Sequence, residues 1–272
     1  MVTQAIIPLA GLGTRLLPLS SVIPKELLPI NGKPNLEYIM EECIEAGIKQ
    51  FIFVVPKNRP SIKKYFFNDI FYKKIIKKKK NDKRLKEIFK RIKRYQKMIK
   101  FVYQNRPEGT GHAVLQCKKY LKGTHFLMLL ADDLIVKKNC SKEMIALHKR
   151  TKSSVIATKS VERKTVSRWG ILGFKNKTKN SFLINEVIEK PKLSQAPSNY
   201  AIIGRYILPK KILSVLKDQG RGKGGEIHIT DAIKTLVKEN EKFYGNIFKG
   251  KYIDCGTLEG FINSGLTISK FL

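Results

Sequence analysis

Strand-like apolar runs and helix-patterned segments alternate from the start of this chain to about residue 160, and that alternation limits the fold more than any other feature. Ala5–Leu9 is a short apolar run before a Gly-rich loop. In Pro34–Gly47, Pro34 stands at a first helical turn, Leu36, Ile39, Met40, Cys43 and Ile44 form a stripe, and Gly47 stops it. Phe51–Val55, Lys100–Gln104, His125–Ala131 and Ser154–Lys159 read as strands, Gly111–Tyr120 and Ser141–Arg150 as helices. Such alternation predicts an α/β, Rossmann-like three-layer fold, with a central mixed, mostly parallel sheet flanked by helices. Beyond residue 160 the pattern changes. Ile171–Phe174, Phe182–Glu189, Ala201–Leu208, Phe243–Phe248 and Lys251–Ile253 read as strands, Pro209–Lys217 and Asp231–Glu239 as helices, with a last helix from about Leu258. No repeat or Ser/Pro linker interrupts the pattern, so residues 1–272 are expected to form one domain.

With 272 residues, 42% of them hydrophobic, the chain can bury a sizeable core. No apolar run approaches the ~18 residues of a membrane span, and the first residues lack the charged and apolar regions of a secretory signal. Cys43, Cys117, Cys140 and Cys255 are scattered without a CxxC pair, and His112, His125, His148 and His228 show no metal-binding spacing. A soluble protein of a reducing compartment, the cytoplasm, is the expectation. The net charge of +32 invites a nucleic-acid reading. Between Lys73 and Lys100, however, 15 Lys and Arg stand against 2 acids, and Leu85, Ile88, Phe89, Ile92, Tyr95 and Ile99 recur at helical spacing. An amphipathic helix with a solvated Lys face is the better reading, and no specific nucleic-acid partner is expected.

The first loop, Ala10-Gly11-Leu12-Gly13-Thr14-Arg15, lies where open α/β sheets bind ligands, and its glycines allow backbone N–H groups to approach a phosphate. It is no Walker A loop, and a Rossmann fingerprint would need Gly where Leu16 stands. The GxGxxG at Gly220–Gly225 follows a helix and reads as a flexible loop. The first loop is extended by Pro24-Lys25-Glu26-Leu27-Leu28-Pro29, which brings Arg15 and Lys25 to one phosphate-binding region.

With AGLGTR (10–15), IPKELLP (23–29), EGTGHAV (108–114), EKP (189–191), PSNYAIIGRYIL (197–208), GGEIHITDAI (224–233) and DCGT (254–257) in this order, the chain resembles the sugar-1-phosphate nucleotidylyltransferases. Within them it is most similar to the bacterial UTP–glucose-1-phosphate uridylyltransferases. The resemblance spans nearly the whole chain. It implies a nucleotidyltransferase fold whose residues 1–160 mainly bind nucleotide, with a basic helical insertion over 62–99, and whose residues 161–272 mainly bind sugar phosphate and include the C-terminal helix. It implies attack by a glucose-1-phosphate oxygen on the α-phosphorus of UTP, with Mg²⁺ as cofactor. The nucleophile is already anionic, so the site must supply charge neutralisation and alignment rather than a base.

By the same resemblance, Arg15, Lys25, Asp132 and Lys190 are the catalytic group. Leu9, Ala10, Gly11, Gly13, Thr14, Arg15, Lys25, Glu26, Gln104, Gly109 and Gly111 bind nucleotide, Gln104 reading the base with an amide that offers donor and acceptor. Gly170, Glu189, Lys190 and Glu226 bind the sugar phosphate. Asp132 and Asp254 hold the metal, at strand ends suited to a hard cation; Asp133 is the adjacent candidate, where many relatives carry an apolar residue. His112 reads as structural. Three departures stand out: Ser21 where the family commonly has Lys, Ala131 where it usually has Pro, and Trp169 where it commonly has Tyr. Relatives assemble as dimers or tetramers, so a homo-oligomer is expected. The alternatives are a thymidylyltransferase of the same fold and a basic nucleic-acid-binding or regulatory protein.

Overall fold

The computed structural model describes residues 1–270. Among these residues, nine strands form the central sheet. In spatial order they are Ile99–Tyr103, Gln50–Val55, Gln4–Pro8, His125–Leu129, Tyr200–Pro209, Ser154–Ser160, Phe243–Ile247, Ser181–Glu189 and Gly170–Lys175. The first four pair in parallel, as the β–α alternation predicted. The parallel character stops there. Tyr200–Pro209 runs antiparallel to both neighbours, and Ser181–Glu189 likewise; only Phe243–Ile247 on Ser154–Ser160 is parallel again. For the pair Gly170–Lys175 and Ser181–Glu189 the cause is connection length: so short a link can only join antiparallel strands, whereas parallel neighbours need a crossover.

Alternation along the strands builds three layers. Ala5 and Ile7 point into one core with the helices Asn35–Glu45 and Cys140–Thr151. Ile6 points into the other, with the helices Thr110–Gln116, Ile212–Asp218 and Ile229–Lys238. Central strands covered on both faces have to be apolar throughout, which is why Ala5–Ile7 and Phe51–Val55 read as continuous runs. All four cysteines are buried and free.

The basic segment forms the helices Ser61–Phe67, Asp69–Lys78 and Lys83–Gln96. In the last, Ile92 and Tyr95 are buried against the core while Lys83, Lys86 and Lys90 are exposed, as the helical spacing predicts. The Lys73–Lys100 segment is broken after Lys78, however, and Ile99, counted in that stripe, opens the strand Ile99–Tyr103. Arg91 Nε reaches back 2.8 Å to Oε2 of the buried Glu37 and anchors the helix. No described helix is long and apolar enough to cross a membrane.

Two short elements set up the site. Leu130–Asp132 leaves the sheet after His125–Leu129, and Asp133–Val136 then pairs antiparallel with Lys251–Asp254, matching Asp133 to Asp254. Carboxylates from distant parts of the sequence thereby meet at one edge.

Candidate active site

Two cavities open at the carboxyl ends of the parallel strands, about 410 and 450 Å³ in volume, and Leu130 and Asp132 line both. Ala10, Gly11, Gly13 and Thr14, together with Lys25, Glu26, Gln104 and Gly109, wall the first. Glu226, expected at the sugar phosphate, instead completes the rim of this first cavity from the other half of the chain. Arg15, Gly170, Glu189, Lys190 and Asp254 wall the second. Two residues named from the sequence line neither. Leu9 is packed in the core, its N–H donating to Val54 O at 2.7 Å. Gly111 is buried against Leu216 and the Ile227 carbonyl, 2.8 Å from its N–H. Its missing side chain serves helix packing.

Asp132 is the hub. Its Oδ2 lies 2.6 Å from Lys25 Nζ and 3.4 Å from Arg15 Nη2, and Arg15 Nη1 is 3.8 Å from Asp254 Oδ2. Burial works against the charge on Asp132, but the Lys25 and Arg15 cations outweigh it and hold the carboxyl below its usual range. Burial likewise opposes the charge on Lys25, and the Asp132 and Glu26 carboxylates more than restore it. A Cβ on Gly256 would stand 2.7 Å from Asp132 Oδ2 and 3.1 Å from Asp254 Oδ1, so a side chain there would press on the carboxylates and force them to shift. Among the described residues no three His, Cys, Asp or Glu side chains converge as a metal cage. Two carboxylates with room for phosphate oxygens and water are nonetheless the donor set a Mg²⁺ ion takes, and the Arg15 guanidinium shows that a cation is accommodated between them.

Asp133, beside them, faces a different environment. Tyr252 Oη donates to its Oδ1 at 2.6 Å and Gly204 N–H to its Oδ2 at 3.1 Å. Burial, then the neighbouring Asp132 charge, pushes its carboxyl up to about 6. Arg205, wholly buried, holds this turn from behind. It donates to the Leu130 and Asp133 carbonyls at 3.2 and 2.5 Å, and pairs with Glu42 Oε2 at 3.0 Å.

In the second cavity, Glu189 ends the strand Ser181–Glu189. Its Oε2 accepts from Thr230 Oγ1 at 3.0 Å, and Lys190 Nζ is 3.9 Å from its Oε1. Gly170 lies directly opposite, where a Cβ would come within 3.1 Å of Glu189 Oε2. Trp169 and Tyr252 meet edge-on at 6.0 Å and form an aromatic wall. Of these lining residues, Thr230, Tyr252 and Gly204 were missed as site residues. Each belongs to a motif or strand visible in the sequence, but only the tertiary register turns it inward.

In the first cavity, Gly109 has φ +102°, and a Cβ there would lie 2.6 Å from the Ile227 carbonyl oxygen. Gln104 is buried, its Nε2 engaged by Gly109 O at 3.3 Å and His112 Nδ1 at 2.9 Å. The donor end of the amide is therefore committed inside the protein, which narrows the expectation that it offers both donor and acceptor to a base. Ser21, where a cation was expected, donates its hydroxyl to Pro18 O at 2.6 Å. Arg59 instead lines the narrow crevice beside Gly13, Lys25 and Glu26.

Glu26 is 2% exposed, and burial raises its carboxyl to about 7 despite the adjacent Lys25. A carboxyl raised in the fold favours folding while protonated in both states, and that contribution is lost as pH rises from the unfolded value of 4.5 through about 7. Glu26→Gln is thus expected to stabilise the protein at pH 8 by on the order of 3 kcal/mol and to change little at pH 4.5. Thermal melts of both proteins at the two pH values check this; equal melting-temperature differences would exclude it.

A family model described as Nucleotidyl transferase matches residues 4–270. The UTP–glucose-1-phosphate uridylyltransferase 2 of Staphylococcus saprophyticus is 37% identical over 266 residues, covering 97% of this chain and 90% of that protein. Among solved structures, a UDP-glucose pyrophosphorylase complexed with UDP-glucose matches with TM-score 0.88 and 33% identity, over 100% of both chains. A UTP-bound UGPase from Acinetobacter baumannii matches with TM-score 0.88 and 32% identity, over 98% of this chain and 93% of that one. With a family model over nearly the whole chain, and relatives above 30% identity matched along almost their full length, the chain belongs to the nucleotidyl transferase family.

Proposed function

We propose that the chain transfers a uridylyl group from UTP to glucose-1-phosphate, giving UDP-glucose and pyrophosphate. The observation that carries this reading is Asp132, shared by two cavities and flanked by Lys25 and Arg15. Nucleotide fills the cavity walled by the Gly-rich loop, and sugar phosphate fills the one walled by Glu189 and Lys190. Their phosphates then meet beside Asp132. A sugar-phosphate oxygen forms a bond to the α-phosphorus as the bond to the β-phosphate oxygen breaks, and pyrophosphate leaves with that electron pair. No proton need move, because the attacking phosphate oxygen is already anionic.

In this reading Arg15 and Lys25 neutralise the triphosphate and the leaving group, Lys190 holds the sugar phosphate, and Glu189, oriented by Thr230, accepts from sugar hydroxyls. Asp132 and Asp254 would hold Mg²⁺, which would supply charge to offset that of the phosphate oxygens. Self-association into a dimer or tetramer belongs to the same reading. It is supported by Leu258, Ile262 and Leu266, an exposed apolar stripe along the helix Leu258–Ser269, and light scattering reads the mass.

Pyrophosphate release is the direct test. Release is expected with UTP, glucose-1-phosphate and Mg²⁺ together, with loss on chelation and recovery on adding Mg²⁺ back. A preference for dTTP would keep the chemistry and move the protein to thymidylyl transfer. Absence of release with either nucleotide would sink the reading.

A further inference from the structure

The amide assigned to the base has a partner that the proposed function leaves without a task. Gln104 follows the strand Ile99–Tyr103 and is 3% exposed. Its Nε2 lies 3.3 Å from the Gly109 carbonyl oxygen and 2.9 Å from His112 Nδ1. A carbonyl oxygen only accepts, so the amine end of the amide must be the end that faces it. The second amine hydrogen then points to His112 Nδ1, which must be the unprotonated ring nitrogen, and the imidazole proton sits on Nε2. The acceptor at hand there is Glu108 Oε2, 3.5 Å away. The Gln116 amine nitrogen, 2.9 Å from the same ring nitrogen and 3.4 Å from the His112 carbonyl, is a donor, so the Nε2–H tautomer requires that amide to turn its oxygen toward the ring. Glu108 is fixed in turn by Arg221 Nη2, which donates to its Oε1 at 2.7 Å.

We infer that His112 is a positioning residue that sets nucleobase selectivity: by accepting from Gln104 Nε2, it turns the Gln104 carbonyl oxygen toward the nucleotide cavity. Both amine hydrogens are committed inward, so the oxygen is what the side chain has left to offer. An acceptor at that point suits a pyrimidine whose N3 carries hydrogen, as uracil's does. It opposes cytosine, whose N3 presents a lone pair. Thymine shares uracil's edge, so His112 separates UTP from CTP and leaves the choice between UTP and dTTP to other contacts. The inference rests on the proposed nucleotide site, and its test is built to tell the two apart.

Pyrophosphate release is measured with UTP and with CTP, glucose-1-phosphate held constant, for the full chain and for His112→Phe, His112→Asn and Gln104→Leu. Phenylalanine removes the acceptor and frees the amide to turn. The UTP-over-CTP ratio of kcat/KM is expected to fall roughly tenfold or more, through KM for the nucleotide rather than KM for glucose-1-phosphate. Asparagine places an oxygen close to the position of Nδ1 and is expected to restore the ratio. Nitrogen-15 shifts of the unsubstituted protein, assigned by the signal lost in His112→Asn, are expected to show the Nε2–H tautomer; this measurement holds even if His112→Phe does not fold. An Nδ1–H tautomer overturns the inference. So does an unchanged ratio in His112→Phe when Gln104→Leu loses selectivity. If Gln104→Leu also keeps the KM for UTP and the ratio, the base-site reading itself has failed, and the role of His112 falls with it.

Discussion

Asp132→Asn is expected to lower kcat for pyrophosphate release by roughly a hundred- to a thousand-fold, the usual cost of one preorganised electrostatic contact. The substitution keeps the shape of the side chain and removes its charge. Two things are lost together. Lys25 Nζ, 2.6 Å away in a largely buried setting, keeps only a neutral partner, and one of the two carboxylates proposed for Mg²⁺ is gone. Because Asp132 lines both cavities, the loss should appear in the chemical step, with UTP binding measured by calorimetry reduced far less. A rate within a few-fold of the parent would show that neither metal nor alignment depends on this carboxylate.

The second large effect is on stability. Arg205→Leu leaves Glu42 buried without its cation, and removing one partner of a buried pair costs about 3–5 kcal/mol. In a chain of this size that lowers the melting temperature by on the order of 10 °C. The double substitution Glu42→Met with Arg205→Leu is expected to recover much of the loss, since no charge is then stranded. Activity should recover less. Arg205 also holds the Leu130 and Asp133 carbonyls, and those bonds fix the turn that presents Asp132. Equal melting temperatures for the single and double variants would argue that the pair is not the source of the stability.

Much of this was readable before any coordinates, and the reasons are local. The Gly-rich loop, Lys25 and the strand leading to Asp132 are contiguous patterns whose periodicity and turn chemistry act within a few residues. The amphipathic helix Lys83–Gln96 was legible for the same reason, and its apolar stripe, rather than its charge, decides how it packs. Residues whose role comes from register were opaque. Tyr252 reaches Asp133 only because Lys251–Asp254 pairs with Asp133–Val136, and Thr230 reaches Glu189 only because its helix docks on the sheet. Sequence spacing carries no information about either. The mixed character of the sheet was legible where the alternation ends near residue 160, but which strands of the second half pair antiparallel was not. The Gln104 amide shows a third kind of limit. The residue type implied donor and acceptor, while its neighbours decide which end is free.

The ribbon that pairs Asp133 with Asp254 also sets an order in time. A chain emerging from the ribosome can complete the parallel strands, the Gly-rich loop and Asp132 while the segment carrying Asp254 has yet to be made. If both acids are needed to hold Mg²⁺, such a nascent chain is inert toward nucleotide, and competence arrives in one step when the last ladder closes. Contacts of such sequence separation also form late and slowly in folding. On that condition the ladder that completes the site also delays it, and UTP stays unspent until the last strand is made.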